Sequence, residues 1–282
     1  NRGDAETQEV TVYQTDDTGL ESSLEVTSFQ VMTNRDYDSQ HNIENQMILT
    51  YEQEGGLLLD VQEIRSIGYH SSGVALKQVI ATYSDEAKTE LLDAKVIENS
   101  DITSSGNVGT SVITKYGDCA MVEDGAITVV PDSAIDRQTI TTLPDDFDLR
   151  GTALKQTTIR EYFDEDAQAF LFSEAQEITN DPFNFHGRTD HSMIRNFDSS
   201  GMLMDDFVDM QDIYYVSYDR YGNAVEQTID SYTTYNVDAG NLVDHKRILN
   251  EDNDIIAQRR GNAPRTTATR NKSQTEILDN QI

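Results

Sequence analysis

The sequence predicts an all-β fold of repeated antiparallel hairpins forming an elongated or spiralling sheet. Three observations carry that expectation. An aromatic residue recurs with a glycine four places later, apolar residues come in short period-two runs, and the apolar content is low for a thick two-layer body.

The spacing comes first. Tyr51 and Gly55, Tyr69 and Gly73, Phe147 and Gly151, Phe183 and Gly187, Phe197 and Gly201, and Tyr218 and Gly222 all share the offset of four. Random placement of 22 aromatics and 16 glycines gives about one such pair. Asp follows the aromatic directly at Asp148, Asp198 and Asp219, and an apolar residue stands three places beyond the glycine at Leu58, Leu76, Leu154, Met204 and Val225. Weaker copies open at Tyr37 with Asp38 and Asn42, at Tyr83, at Phe163 with Asp164, at Tyr235, and at Thr15, Asp16 and Gly19. The anchors recur about every 14 to 21 residues, the length of a strand, a turn and a strand. An Asp side chain accepts backbone amides two residues on, and a later Gly supplies the positive φ of a tight connection. Anchors are therefore expected at Tyr51, Gly55, Tyr69, Gly73, Phe147, Asp148, Gly151, Phe183, Gly187, Phe197, Asp198, Gly201, Tyr218, Asp219 and Gly222.

Strand patterns flank these turns. Tyr214, Val216 and Tyr218 alternate with Tyr215 and Ser217, and Val10 and Val12 flank Thr11. No such unit buries its apolar face alone, so units must stack on neighbours. Two stretches, Ser84 to Asn99 and Asp164 to Ile178, also carry good helix formers over about one helix length. The repeat register predicts a turn and then a strand in each.

Composition agrees with a slender object. The 282 residues hold 37% apolar side chains, below the roughly 45 to 50% of an average domain. Thirteen Tyr and nine Phe among Val, Ile and Leu argue against disorder, because they suit pleated, half-buried strands. With 51 acidic against 21 basic residues the net charge is −30, which repels a phosphate backbone and disfavours anionic membrane surfaces. Nucleic acid is thus excluded as a partner. The single Cys119 leaves no internal disulfide and no multi-thiolate zinc site. No apolar stretch approaches the roughly 20 residues of a membrane span. The polar start and lack of an initiator Met suggest a chain that begins after processing or inside a longer protein.

The expected organisation is a diverged hairpin array over 1–257, with a sub-boundary near 145 where Pro144, Asp145 and Asp146 punctuate the chain. Residues 258–282 read as a polar, locally basic tail or linker with Arg259, Arg260, Arg265 and Arg270, or as an edge docking on acidic surface.

Catalytic strings are missing: there is no phosphate-cradling loop and no nucleophile elbow. Of the histidines at 41, 70, 186, 191 and 245, only His186 and His191 are close, and with Asp190 they suggest a metal site or an acid and base pair. Their spacing places them on opposite faces of a strand, so solvated loop histidines are the simpler reading. Asp205 and Asp206, Asp145 and Asp146, and Glu165 and Asp166 read as solvated turn residues. Calcium is the one cofactor the composition suggests, at Asp16 with Asp17 or at Asp252, Asn253 and Asp254, though neither follows the spaced calcium-loop pattern. Arg2, Gly3 and Asp4 spell a short integrin-binding string with a high chance rate.

The string Tyr218, Asp219, Arg220, Tyr221, Gly222, Asn223, with Phe197 to Gly201 and Phe147 to Gly151, is similar to the tyrosine and aspartate repeats of the rearrangement-hotspot family. That resemblance implies hairpins wound into a long spiralling sheet, serving as a shell around a toxin domain or as a cell-surface, adhesive or wall-associated module. It carries over no catalytic residues. The expected function is a non-enzymatic structural or interaction segment of a larger extracellular or cell-surface repeat protein. Its partners would be a protein or glycan surface, or copies of itself. The alternative is an extracellular carbohydrate-active enzyme or glycan-binding domain on an all-β scaffold.

Overall fold

A computed structural model describes residues 4–15, 21–122, 125–251, 265–273 and 276–281. The fold is all-β: eighteen strands and five short 3-10 turns, with no α-helix among the described residues. Every named strand pairing is antiparallel, as repeated hairpins require. The chain divides into two compact units, the first comprising Asn1–Pro144 and Arg160–Phe172, the second Asp145–Ile159 and Ser173–Ile282.

In the first unit the strands are β1 (Thr7–Gln14), β2 (Glu25–Tyr37), β3 (Ile43–Tyr51), β4 (Leu58–Tyr69), β5 (Ala75–Tyr83), β6 (Leu91–Ser100), β7 (Thr110–Tyr116), β8 (Cys119–Met121), β9 (Ile127–Val129) and β10 (Ala134–Thr141). They form a meander in sequence order from β1 to β7 and then β10, while β8 and β9 pair only with each other. Period-two burial decides which face is covered. On β4, Leu59, Val61, Glu63 and Arg65 are buried, and the residues between them are not. Leu49, Val61, Val79, Ala81, Tyr83 and Val96 make the core on that face, closed by Ile127 of the β8–β9 hairpin. The hairpin turns Cys119, Met121, Ile127 and Val129 onto this core. Arg65 clamps it, donating from Nε to the Gly125 carbonyl at 2.5 Å. Burying a side chain such as Val61 contributes about 1.5 to 3 kcal/mol.

A hairpin of β11 (Lys155–Asp164) and β12 (Ala169–Asn180) is shared between the units, its tip belonging to the first and its base to the second. The second unit continues with β13 (His191–Phe197), β14 (Phe207–Tyr218), β15 (Ala224–Tyr232), β16 (Leu242–Glu251), β17 (Arg265–Ser273) and β18 (Glu276–Gln281). From β12 to β18 these are again neighbours in sequence order. Ala175, Phe197, Met210, Ile213 and Tyr232 are its buried apolar side chains. Phe197 meets Phe207 edge-on, with centroids 6.1 Å apart.

Both stretches with helix-forming composition are turns leading into strands, as their register predicts. Residues 84–90 form a loop whose Asp85 carboxylate accepts the Thr89 amide at 2.9 Å and the Glu90 amide at 2.8 Å, and β6 comes directly after it. Residues 165–168 close the β11–β12 hairpin, with Gln168 in the left-handed region at φ 49°. Within the segment read as a basic tail, Arg265–Ser273 pairs with β16, and Arg270 donates from Nε to Asp244 at 2.8 Å. Arg259 and Arg260 lie outside the described residues, as do Arg2, Gly3, Asp16, Gly19, and Asp252 to Asp254.

Candidate functional site

The recurring feature is a five-residue turn. Its first N–H donates to the fifth carbonyl, its fourth N–H donates to the first carbonyl, and the fourth residue takes a left-handed φ. This is a type I turn closed by a G1 bulge. It occurs at Asp38–Asn42, His70–Val74 and Thr103–Asn107 in the first unit, and at Asp148–Thr152, Asn184–Arg188 and Asp219–Asn223 in the second. The fourth residues are His41, Gly73, Gly106, Gly151, Gly187 and Gly222, with φ between 70° and 93°. Gly is favoured there because a Cβ strains the left-handed backbone.

The first residue supplies the second requirement. One oxygen of Asp38, Asp148, Asn184 and Asp219 accepts the amides of the third and fifth turn residues at 2.7 to 3.1 Å. At Asp38 the Asn42 side-chain amide, then the Asn42 backbone amide, holds the carboxyl below the usual range. At Asp148 the Thr152 amide does the same. Phe147 and Tyr218 sit immediately before the turn, pairing across it with Ala153 and Ala224, as Tyr69 does with Ala75. Phe183 precedes the Asn184 turn in a loop, and its carbonyl accepts Arg150 at 2.5 Å.

The residue just beyond each turn is where adjacent repeats join. The bulge leaves its carbonyl available, and a side chain from the next repeat caps it. Tyr69 Oη caps Ile43, Asn99 Nδ2 caps Ala75 at 3.0 Å, Asn180 Nδ2 caps Ala153 at 3.4 Å, Tyr218 Oη caps Thr189 at 2.5 Å, and Asn250 Nδ2 caps Ala224 at 2.8 Å. Asn34 and Tyr37 together cap Ala5, at 2.7 and 2.6 Å. The Thr103 turn differs, for there the Gly109 carbonyl takes the Thr142 amide at 2.8 Å. Burial raises the Tyr69 hydroxyl pKa and pushes that of Tyr218 up to about 12, so both remain donors.

Tyr51 and Phe197 belong to a different set. They end β3 and β13, pair with Leu58 and Phe207, and close longer loops. Gly55 is left-handed at φ 70°, whereas in the Phe197 loop Met202, not Gly201, takes that conformation at φ 48°. Asp198 donates its amide to the Asp206 carbonyl at 2.9 Å. Consecutive hairpins in a meander turn at opposite ends of the strands, so like turns recur every second strand. The interval is 32 residues from Asp38 to His70 and 33 to Thr103, then 36 from Asp148 to Asn184 and 35 to Asp219. Sequence reasoning saw the half-period and missed the capping side chains. The signal was present: Asn34, Asn99 and Asn180 stand four residues before a turn, and Ala75, Ala153 and Ala224 two after its left-handed Gly. Gln258, Arg259, Arg260, Gly261, Asn262 and Ala263 repeat that spelling outside the described residues.

Two polar clusters lie on the strands. In the first unit the Glu63 carboxylate, fully buried, receives Arg35, Arg65 and Lys88 at 2.7 to 3.0 Å. Burial pulls its pKa up, but hydrogen bonds from Arg35, Lys88 and Arg65 outweigh that and hold it below the usual range. In the second unit His191 Nε2 stands 2.5 Å from Asp212 and its Nδ1 3.4 Å from Asp181, with the ring stacked 4.5 Å over Tyr214. The His186 ring lies against Phe185, with centroids 3.9 Å apart and the planes tilted by 40°. The structure gives His191 two carboxylate partners, Asp212 and Asp181. Among the described residues no three His, Cys, Asp or Glu side chains are arranged to hold a metal ion. Asp145 and Asp146, Asp205 and Asp206, and Glu165 and Asp166 all lie in turns. Among the described residues no helix is long and apolar enough to cross a membrane.

No protein-family model matches the chain, and no curated protein matches it in sequence.

Proposed function

We propose that this chain is a structural and interaction segment of a larger extracellular or cell-surface protein, built from hairpin repeats like those of the rearrangement-hotspot family, and that it acts by displaying sheet and turn surface rather than by catalysis. The observation that carries the reading is the capped turn. The same backbone geometry is rebuilt at two-strand intervals, and a hydrogen bond from the next repeat fastens it. Its Asp, Asn and Tyr side chains are engaged in holding the sheet together. Such a repeat extends by addition, since each new strand pair supplies the cap its predecessor requires. Partners consistent with this role are a protein or glycan surface, or further copies of the chain.

Location is the direct test. An antibody raised against the folded chain should label intact, unpermeabilised source cells or be depleted by their surface proteolysis. Recovery confined to the cytosolic fraction, with no labelling of intact cells, removes the proposal.

A further inference from the structure

A row of four side chains crosses strands β13 to β16 of the second unit. Asp212 on β14 and Asp230 on β15 are direct register partners, and Asp230 is in turn opposite His245 on β16. His191 on β13 reaches Asp212 at 2.5 Å, and His245 Nδ1 contacts Asp230. The order across the sheet is His, Asp, Asp, His. All four are withdrawn from water, the side chains of Asp212, Asp230, His191 and His245 being 6, 16, 20 and 14% exposed.

Like charges directly opposite on neighbouring strands destabilise the pair, because their Cβ atoms are only about 5 Å apart. Arg195 on β13 is committed to Glu177 and the Tyr235 carbonyl, and Arg247 on β16 to Glu226. Asp181 adds a third carboxylate beside His191. Tyr214 and Tyr232 face the row as neutral phenols; the Asp212 charge, then burial, raises the first pKa, and burial, then Asp230, raises the second. Among the described residues the ion pairs of Asp212 and Asp230 are with imidazoles alone. The compensating charge is therefore present only while those imidazoles hold a second proton.

We propose that this row is a proton-operated latch: strands β13 to β16 are held together when His191 is protonated, and loosen when it releases its proton. The release returns one proton to solvent and leaves Asp212 without its counter-charge. That sets an uncompensated Asp212 directly opposite Asp230 in a chain already at −30. The hydrogen bonds and charges of Asp212 and Asp181 outweigh burial and raise the His191 pKa above 6.5. A raised histidine contributes stability below its unfolded value, and that contribution is lost as pH climbs through the folded one. The latch is closed in mild acid and opens on the alkaline side.

Hydrogen exchange of the intact chain tests this, comparing about pH 6 with about pH 9 after correction for intrinsic exchange. Peptides spanning β14 and β15 should lose at least about tenfold in protection at the higher pH, while β4 and β5 stay within about twofold. His191→Gln with His245→Gln should give low protection at both pH values, and Asp230→Asn should shrink the loss. Equal wild-type protection at the two pH values overturns the proposal, as does an undiminished loss in Asp230→Asn. Should the variants not fold, the His191 imidazole titration in the wild type decides. Deprotonation above the ordinary histidine value supports the latch, and deprotonation at or below it overturns it.

Discussion

The Tyr218 hydroxyl donates to the Thr189 carbonyl at 2.5 Å, joining two successive turns through residues 29 apart in the chain. The ring lies under the Arg188 guanidinium, 5.4 Å from its centroid, so the aromatic anchor also packs beside its predecessor's turn.

Tyr218→Phe keeps the ring and removes the donor. An unsatisfied, partly buried carbonyl costs about 1 to 3 kcal/mol, so urea unfolding of the second unit should shift by about that amount. A midpoint unchanged from wild type would show that the hydroxyl contributes nothing.

Gly187 isolates the backbone requirement. At φ 74° with open space around its position, an added Cβ meets no neighbour. Gly187→Ala should therefore cost about 1 to 2 kcal/mol from the left-handed conformation alone, measured by the same denaturation. Gly201→Ala should cost less, because the left-handed residue of that loop is Met202.

Glu63→Gln should destabilise the first unit by about 3 to 5 kcal/mol, since it removes the anion that Arg35, Arg65 and Lys88 share in a buried place. Its depressed pKa fixes the pH sign. The stabilisation is present above the ordinary glutamate value of 4.5 and is lost as pH drops through the lower folded value. Stability of wild type minus variant, tracked by calorimetry down through that range, should shrink toward acid.

Met210 is completely buried opposite Tyr232. Met210→Ala should cost about 2 to 5 kcal/mol in chemical denaturation, whereas Met204→Ala, on a 65% exposed side chain, should change stability by less than about 0.5 kcal/mol.

The strand content and the short turns were legible because they depend on local chemistry. Gly151 and Gly222 must be left-handed, and Asp148 and Asp219 must bridge two amides, wherever those turns sit. The true interval was not legible from the aromatics alone. Tyr51 and Tyr69 share an offset to glycine, yet they close opposite kinds of hairpin, and offset carries no information about which end of a strand is meant. Tertiary features stayed hidden for a further reason. The partner of Asp230 is decided by strand register, which makes His245 its neighbour from 15 residues away. His191 drew attention through His186, a neighbour in sequence, while its contacts come from Asp181 and Asp212. Glu63 looked like one acidic residue among many until Arg35 and Lys88 arrived from other parts of the chain.

The caps run one way. Each is donated by the later repeat to the earlier, so within each unit a repeat is completed by its successor and owes nothing of this kind to its predecessor. Disassembly acquires a polarity: peeling from the C-terminal side opens one cap at each step and bares a carbonyl on the repeat next in line. For the caps, peeling from the other side instead strands donors on flexible Asn and Tyr side chains that water can satisfy, while the opposed contact of Arg150 with the Phe183 carbonyl is lost as well. A pulling experiment should therefore meet different resistance according to which end is held.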